Sequence, residues 1–90
     1  MSITVGIRPE KGSVEQYHEV IRLLEEAGAG APPGRLYHVT FEKGGRMGTV
    51  DVWSSREEFD AFGKVLTPIV QRVGIELAPP EFYETVNVIQ

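Results

Sequence analysis

Cysteine is absent from the 90-residue chain, and that single absence removes disulfides, thiolate metal sites, thiol redox chemistry and a cysteine nucleophile together. A basic surface is missing as well. Nine Lys and Arg stand against thirteen Asp and Glu, for a net charge of −4, and the cations are scattered, so the electrostatic footprint of a nucleic-acid binder is not there. No apolar run approaches the length of a membrane span, and Met1 leads straight into an alternating Ile3, Val5, Ile7 pattern with no basic region before an apolar stretch. The reading is a cytoplasmic protein without a membrane partner. Histidine is scarce: His18 and His38 are the only two. With no His-Glu-x-x-His and no carboxylate cluster at ligand spacing, no metal site is expected. Gly28-Ala29-Gly30 lacks the lysine and the strand-before, helix-after setting of a phosphate loop, so it predicts a connection rather than a nucleotide site.

What is present reads as an ordinary globular domain, 41% hydrophobic and 24% charged, covering residues 1–90 as one unit. A chain of this size buries only about 60–65% of the surface it exposes when unfolded. Its core is thin, and a second subunit would help it. Residues 2–7 alternate with the period of a half-buried strand until Pro9. Ser13 followed by Gln16 is a capping box. Val14, Tyr17, Val20, Ile21 and Leu24 then form a helical stripe that Gly28 closes. Residues 35–42 and 47–53 read as two strands joined through Gly44-Gly45, a pair that tolerates the positive φ of a tight hairpin turn. With those two glycines central, Leu36 faces Trp53, His38 faces Asp51 and Thr40 faces Thr49. Ser54 or Ser55, three before Glu57 or Glu58, caps a second helix whose buried side carries Phe59, Phe62, Leu66, Ile69, Val70 and Val73. Pro68 predicts a kink or a break into two segments, Gly74 ends the helix, and residues 81–89 form a last strand.

The order βαββαβ predicts an α+β, ferredoxin-like fold: a four-stranded antiparallel sheet with both helices on one face. Periodicity assigns Ile3, Val5, Ile7, Tyr37, Val39, Phe41, Val50, Val52, Val86 and Val88 to the helix-covered face. The opposite face carries Thr4, Leu36, His38, Thr40, Thr49, Asp51, Trp53, Tyr83, Thr85, Asn87 and Ile89. That mixture suits neither bulk water nor a dry core, and a second sheet packed against it, in a homodimer, would leave a semi-polar interior. A bulge near Gly48 would invert the assignment downstream.

Val52-Trp53-Ser54-Ser55-Arg56-Glu57-Glu58-Phe59 is a strand ending in Trp and leading into an acidic-capped helix. With the element order, it resembles the dimeric α/β-barrel superfamily, and within it the small domains related to antibiotic-biosynthesis monooxygenases. The resemblance implies a dimer and, among catalytic members, cofactor-independent oxygenases acting on electron-rich polyketide or quinol rings, or haem degraders. Haem degraders of this kind carry an Asn on the first strand and a His on the second helix. This chain has Thr4 and Gly6 on the strand and no histidine on the helix, so haem is not expected and no cofactor is assigned. Monooxygenase relatives often have Glu two residues before the Trp, where this chain has Asp51, and a helix His that is missing here. Several relatives also place the Trp-bearing strand against a pocket between sheet and helices, the reverse of the periodicity assignment.

The constellation carrying chemistry is His38 with Asp51, because a carboxylate facing an imidazole fixes its tautomer and raises its basicity. Such a cross-strand pair also occurs simply to satisfy polar groups at an interface. Trp53, Tyr83 and Asn87 are the candidate substrate-binding residues, Trp53 serving equally well as a packing anchor. Two functions remain open: an enzyme of the monooxygenase-like class that uses His38 as base on a small aromatic ligand, and a non-catalytic ligand-binding or assembly module whose polar sheet face serves only dimerisation.

Overall fold

Both helices start where side chains satisfy the free amides of the first turn. Ser13 Oγ accepts from the Gln16 amide at 3.1 Å while Gln16 Oε1 accepts from the Ser13 amide at 2.9 Å. Helix α1 (Val14–Glu26) follows, with Gly28 in the left-handed region just beyond its end. Ser55 caps helix α2 (Arg56–Val73) through the Glu58 amide, and Gly74, at φ 96°, closes it. Helix α2 runs through Pro68 as one helix, so the predicted break into two segments does not occur. The lost hydrogen bond is outweighed by core packing on both sides of the proline, from Leu66, Ile69 and Val70.

The computed structural model describes residues 2–89, so Met1 and Gln90 of the expected 1–90 unit lie outside the described residues. Strands β1 (Ile3–Ile7), β2 (Arg35–Lys43), β3 (Arg46–Trp53) and β4 (Glu81–Glu84) complete the order βαββαβ. They form one antiparallel sheet in the spatial order β2-β3-β1-β4, which is the ferredoxin-like arrangement. Gly44 and Gly45 take φ of 62° and 80°, the two positive values that a two-residue hairpin turn matching the strand twist requires. Lys43 therefore pairs with Arg46, Thr40 with Thr49 and His38 with Asp51, as the sequence predicts. The predicted Leu36–Trp53 pair is replaced by Arg35 opposite Trp53, with a register shift between Arg35 and Tyr37. The last strand is shorter than expected: it ends at Glu84, and 85–89 carry no regular structure, with Val86 98% exposed.

The face assignment of β2 and β3 is inverted. In the β1–β3 ladder Ile3 faces Trp53, Val5 faces Asp51 and Ile7 faces Thr49, and directly opposed residues project to the same side of a sheet. His38, Asp51 and Trp53 therefore lie with Ile3, Val5 and Ile7, under the helices. No bulge at Gly48 is needed, since Phe41 and Gly48 pair in regular register. The alternation within each strand holds. What period two cannot supply is the phase of one strand against the next, and here both faces of the sheet carry an apolar row. The covered row meets Val20 and Leu24 of α1 and Phe62 and Val70 of α2 in a core that includes Val5, Met47, Trp53 and Ile75. The other row, Tyr37, Val39 and Phe41, is 39–44% exposed.

Gln16 also ties the two helices together, because its Nε2 donates to the Val73 carbonyl at the end of α2 at 3.2 Å. Gln16→Ala is expected to cost about 1–2 kcal/mol, lowering the thermal midpoint by roughly 4–8 °C per kcal/mol for a chain of this size. Gln16→Glu keeps the cap and loses only the donor to Val73, so its midpoint in a thermal melt should fall between those of the wild type and the alanine variant.

Candidate active site

Strands β2 and β3 bring His38 and Asp51 face to face across the hairpin, and α1 lays Tyr17 over them. His38 Nδ1 lies 2.5 Å from Asp51 Oδ1 and His38 Nε2 lies 2.7 Å from the Tyr17 hydroxyl, with the Thr40 hydroxyl 3.2 Å from the same nitrogen. A carboxylate is acceptor-only, so Nδ1 carries the proton toward Asp51. In the neutral ring Nε2 is then the acceptor, and the Tyr17 hydroxyl donates to it. The rings of Tyr17 and His38 run nearly parallel, 17° apart with centroids separated by 6.2 Å. Asp51 is buried and His38 mostly so, at 11% and 23% side-chain exposure. Water competes little for the pair.

The hydrogen-bonded row Tyr17–His38–Asp51 forms part of the wall of a cavity of about 70 Å³ between sheet and helices. Apart from these residues, Thr49 and Arg35, the wall is apolar: Val20, Ile21 and Leu24 from α1, Phe59, Phe62, Leu66 and Val70 from α2, and Ile75 and Leu77 beyond it. Arg35 reaches the Gly30 carbonyl and lies over the Phe62 ring at 5.8 Å, so its charge is already engaged. An apolar hollow with a few convergent polar groups is the usual form of a small-molecule site, although such sites commonly reach about 300 Å³ or more.

The other three predicted residues are dispersed. Trp53 shares the helix-side face but is fully buried, and it is not among the cavity-lining residues. It packs at 5.8 and 5.3 Å from the rings of Phe59 and Phe62, and its indole nitrogen has no hydrogen-bond partner among the described residues. Tyr83 projects from the opposite face beside Thr4 and is 54% exposed. The neighbouring Glu81 carboxylate, which accepts from the phenol and repels its anion, holds Tyr83 above the ordinary tyrosine range. Asn87 is exposed in the irregular segment after β4. Neither meets His38 at the cavity. Ser54 and Ser55 hydrogen-bond Glu58, which fits their role as caps. No group of three or more His, Cys, Asp or Glu able to hold a metal ion occurs among the described residues, and no helix there is long and apolar enough to cross a membrane.

Tyr17 is the site residue that sequence reading misses, since the stripe of α1 shows it only as one more apolar position. The available signal is chemical: a tyrosine on the buried side of a helix carries a hydroxyl that must find a partner, and His38 is the nearest polar candidate once the sheet face is known.

The fold is a ferredoxin-like α+β domain, a fold also seen in solved structures of antibiotic-biosynthesis monooxygenase-like proteins. No family model matches the chain, and no curated protein matches it. Solved structures do. A point mutant of the cofactor-independent oxygenase SnoaB from Streptomyces nogalater superposes with a TM-score of 0.66 at 13% identity, over 98% of this chain and 95% of that one. A Chloroflexus aurantiacus protein assigned to the antibiotic biosynthesis monooxygenases gives 0.62 at 22% identity, over 99% and 95%. The de novo designed protein Foldit4 gives 0.62 at 14% identity, over 94% and 99%. A designed chain reaching the same score as a natural one means that the likeness is one of fold, and that any function rests on the side chains.

Two outcomes follow from this geometry. Trp53→Ala removes the largest fully buried side chain and should cost about 3–5 kcal/mol, read from the shift of the urea midpoint. Asp51→Leu removes the acceptor at Nδ1, so the nitrogen-15 shifts of neutral His38 should move from the Nδ1-protonated pattern of the wild type toward the Nε2-protonated one.

Proposed function

We propose that the chain is an oxygenase-type enzyme that takes an electron-rich aromatic or quinol-type ring, with His38 as the base and Asp51 as the group that orients it. The observation that carries this reading is that the His38–Asp51 pair borders an otherwise apolar cavity on the helix side of the sheet. On the free sheet face the pair would have been accounted for as interface polarity. Beneath the helices that explanation does not apply, and burying two polar side chains there is costly unless each is hydrogen-bonded. The oxygenase class comes from fold likeness to SnoaB and stands or falls on activity.

The chemistry asked of the protein is a proton abstraction. His38 takes a proton, directly or through a neighbour, and Asp51 stabilises the imidazolium that forms. The deprotonated ring is itself the electron donor to dioxygen. Overall, a ring methylene and dioxygen give a ring carbonyl and water, one oxygen atom going to each product. A hollow of about 70 Å³ is smaller than such a ring, so binding requires side chains of α1 and α2 to move apart.

The uncovered apolar row of the sheet supports a homodimer formed through it. Tyr37, Val39 and Phe41 project together, all three exposed, with the half-buried Val50 of neighbouring β3 beside them, and an exposed apolar patch on a small domain marks an interaction surface. Its occupant in this reading is a second copy of the chain. Phe41→Asp should convert a dimer into a monomer in sedimentation velocity while leaving the helix-side core folded.

The test of activity is oxygen uptake by the purified protein with anthrone, whose product anthraquinone is followed by absorbance. His38→Gln is expected to lower kcat by at least about 100-fold. Oxygen uptake that is absent, or unchanged in that variant, would sink the enzyme reading and favour an assembly module whose apolar sheet face is its working surface.

A further inference from the structure

Every lone pair and proton of the His38 ring is already committed. Nδ1 faces Asp51, and Nε2 faces two hydroxyls, Tyr17 at 2.7 Å and Thr40 at 3.2 Å. A molecule in the cavity therefore reaches Nε2 only by displacing a hydroxyl, or by working through one. Of the two, Tyr17 lines the cavity and Thr40 does not. Tyr17 stands on α1 beside the apolar positions Val20, Ile21 and Leu24 that make the same wall, so a flat ring lying against them has the Tyr17 hydroxyl, already bonded to Nε2, within its own wall.

We propose that Tyr17 is the catalytic residue that contacts the substrate, its hydroxyl binding the acidic hydroxyl of a phenol or quinol and relaying the proton to His38. The proposal rests on the reading of the site as one for electron-rich rings and deepens it by naming the contacting group and the hydroxylated class of ring. In the relay the substrate O–H bond breaks as a new bond forms from that proton to Tyr17 Oη. The original Tyr17 O–H bond breaks as its proton bonds to His38 Nε2. The tyrosine ends neutral, the substrate ends as an anion, and the imidazolium faces the Asp51 carboxylate. No oxidant or reductant takes part in this step.

The probe is 2-naphthol, a phenol whose neutral and anionic forms emit at different wavelengths and which loses its proton readily in the excited state to a hydrogen-bonded base. Wild-type protein is expected to bind it saturably with strong anion emission. Tyr17→Phe keeps the ring and removes only the oxygen. It should bind about tenfold more weakly, as expected for one lost hydrogen bond, and the bound probe should emit as the neutral form. Tyr83→Phe, which removes a phenol hydroxyl on the opposite face of the sheet, should change neither quantity. Anion emission and affinity unchanged in Tyr17→Phe would overturn the proposal, because His38 would then meet the ring unaided. Failure of the wild type to bind 2-naphthol overturns it too.

If Tyr17→Phe does not fold, the wild type labelled with 3-fluorotyrosine decides the matter. Of its three tyrosines, the fluorine-19 signal of Tyr17 should move on adding 2-naphthol while those of Tyr37 and Tyr83 stay, and a Tyr17 signal that does not move counts against the relay. The anthrone assay separates the two levels of inference. Tyr17-dependent naphthol binding without oxygen uptake leaves the phenol contact standing and removes only the oxygenase chemistry.

Discussion

The pairing of β1 with β3 is the constraint on which the rest of this molecule depends. Val5 opposite Asp51 fixes the phase of the central strand, and one residue of slip would turn every side chain of β2 and β3 to the other face. In the observed phase Trp53, Met47 and Asp51 go beneath the helices, and Val50 and Val52 go to the open side. The core, the cavity and the buried polar row all follow from that one alignment. So does the apolar surface left uncovered on the far side. The register is stabilised on both flanks: the Gly44-Gly45 turn sets β3 against β2, and Trp53 wedges between β1 and the aromatic rings of α2.

The indole N–H of the fully buried Trp53 has no partner among the described residues. The stabilising role of Trp53 is apolar, because a large aromatic in the centre of a thin core supplies contacts that no smaller side chain could. His38 and Asp51 do have partners. Each is hydrogen-bonded, and their pairing allows polar groups to sit inside a domain with little interior to spare. By contrast, the ion pairs of Arg22 with Glu19 and Glu26 and of Arg56 with Asp60 lie at exposed sites on the helices, where such pairs contribute little. The Arg22 guanidinium still holds the Glu19 carboxyl below its ordinary range.

Fold and function separate cleanly in this chain. An arrangement shared at equal score with an oxygenase-assigned protein and with a designed one shows how little the βαββαβ scaffold requires of any particular side chain. Any function of this chain rests on side chains such as the row Tyr17–His38–Asp51, which joins one helix to two strands across the inside of the sheet.

By itself the sequence determined everything that depends on near neighbours along the chain. The Ser13–Gln16 and Ser55–Glu58 caps, the left-handed glycines after each helix, the Gly44-Gly45 turn and hence the His38–Asp51 pairing are all short-range geometry, and all stand in the structure. Two local signals went further than the structure: Pro68 marked a kink or a break, and the break does not occur, while the alternating residues after Glu84 did not continue the strand. Tertiary structure alone decided how the strands were phased against β1, and so which of two apolar rows was buried. With that came the placing of Trp53 in the core, the removal of Tyr83 and Asn87 from the site, and the arrival of Tyr17 at His38. The physical reason is that alternation fixes the relation of each residue to its own strand, whereas the relation between β1 and β3 is set by a ladder between segments some 45 residues apart, about which a period-two pattern is silent.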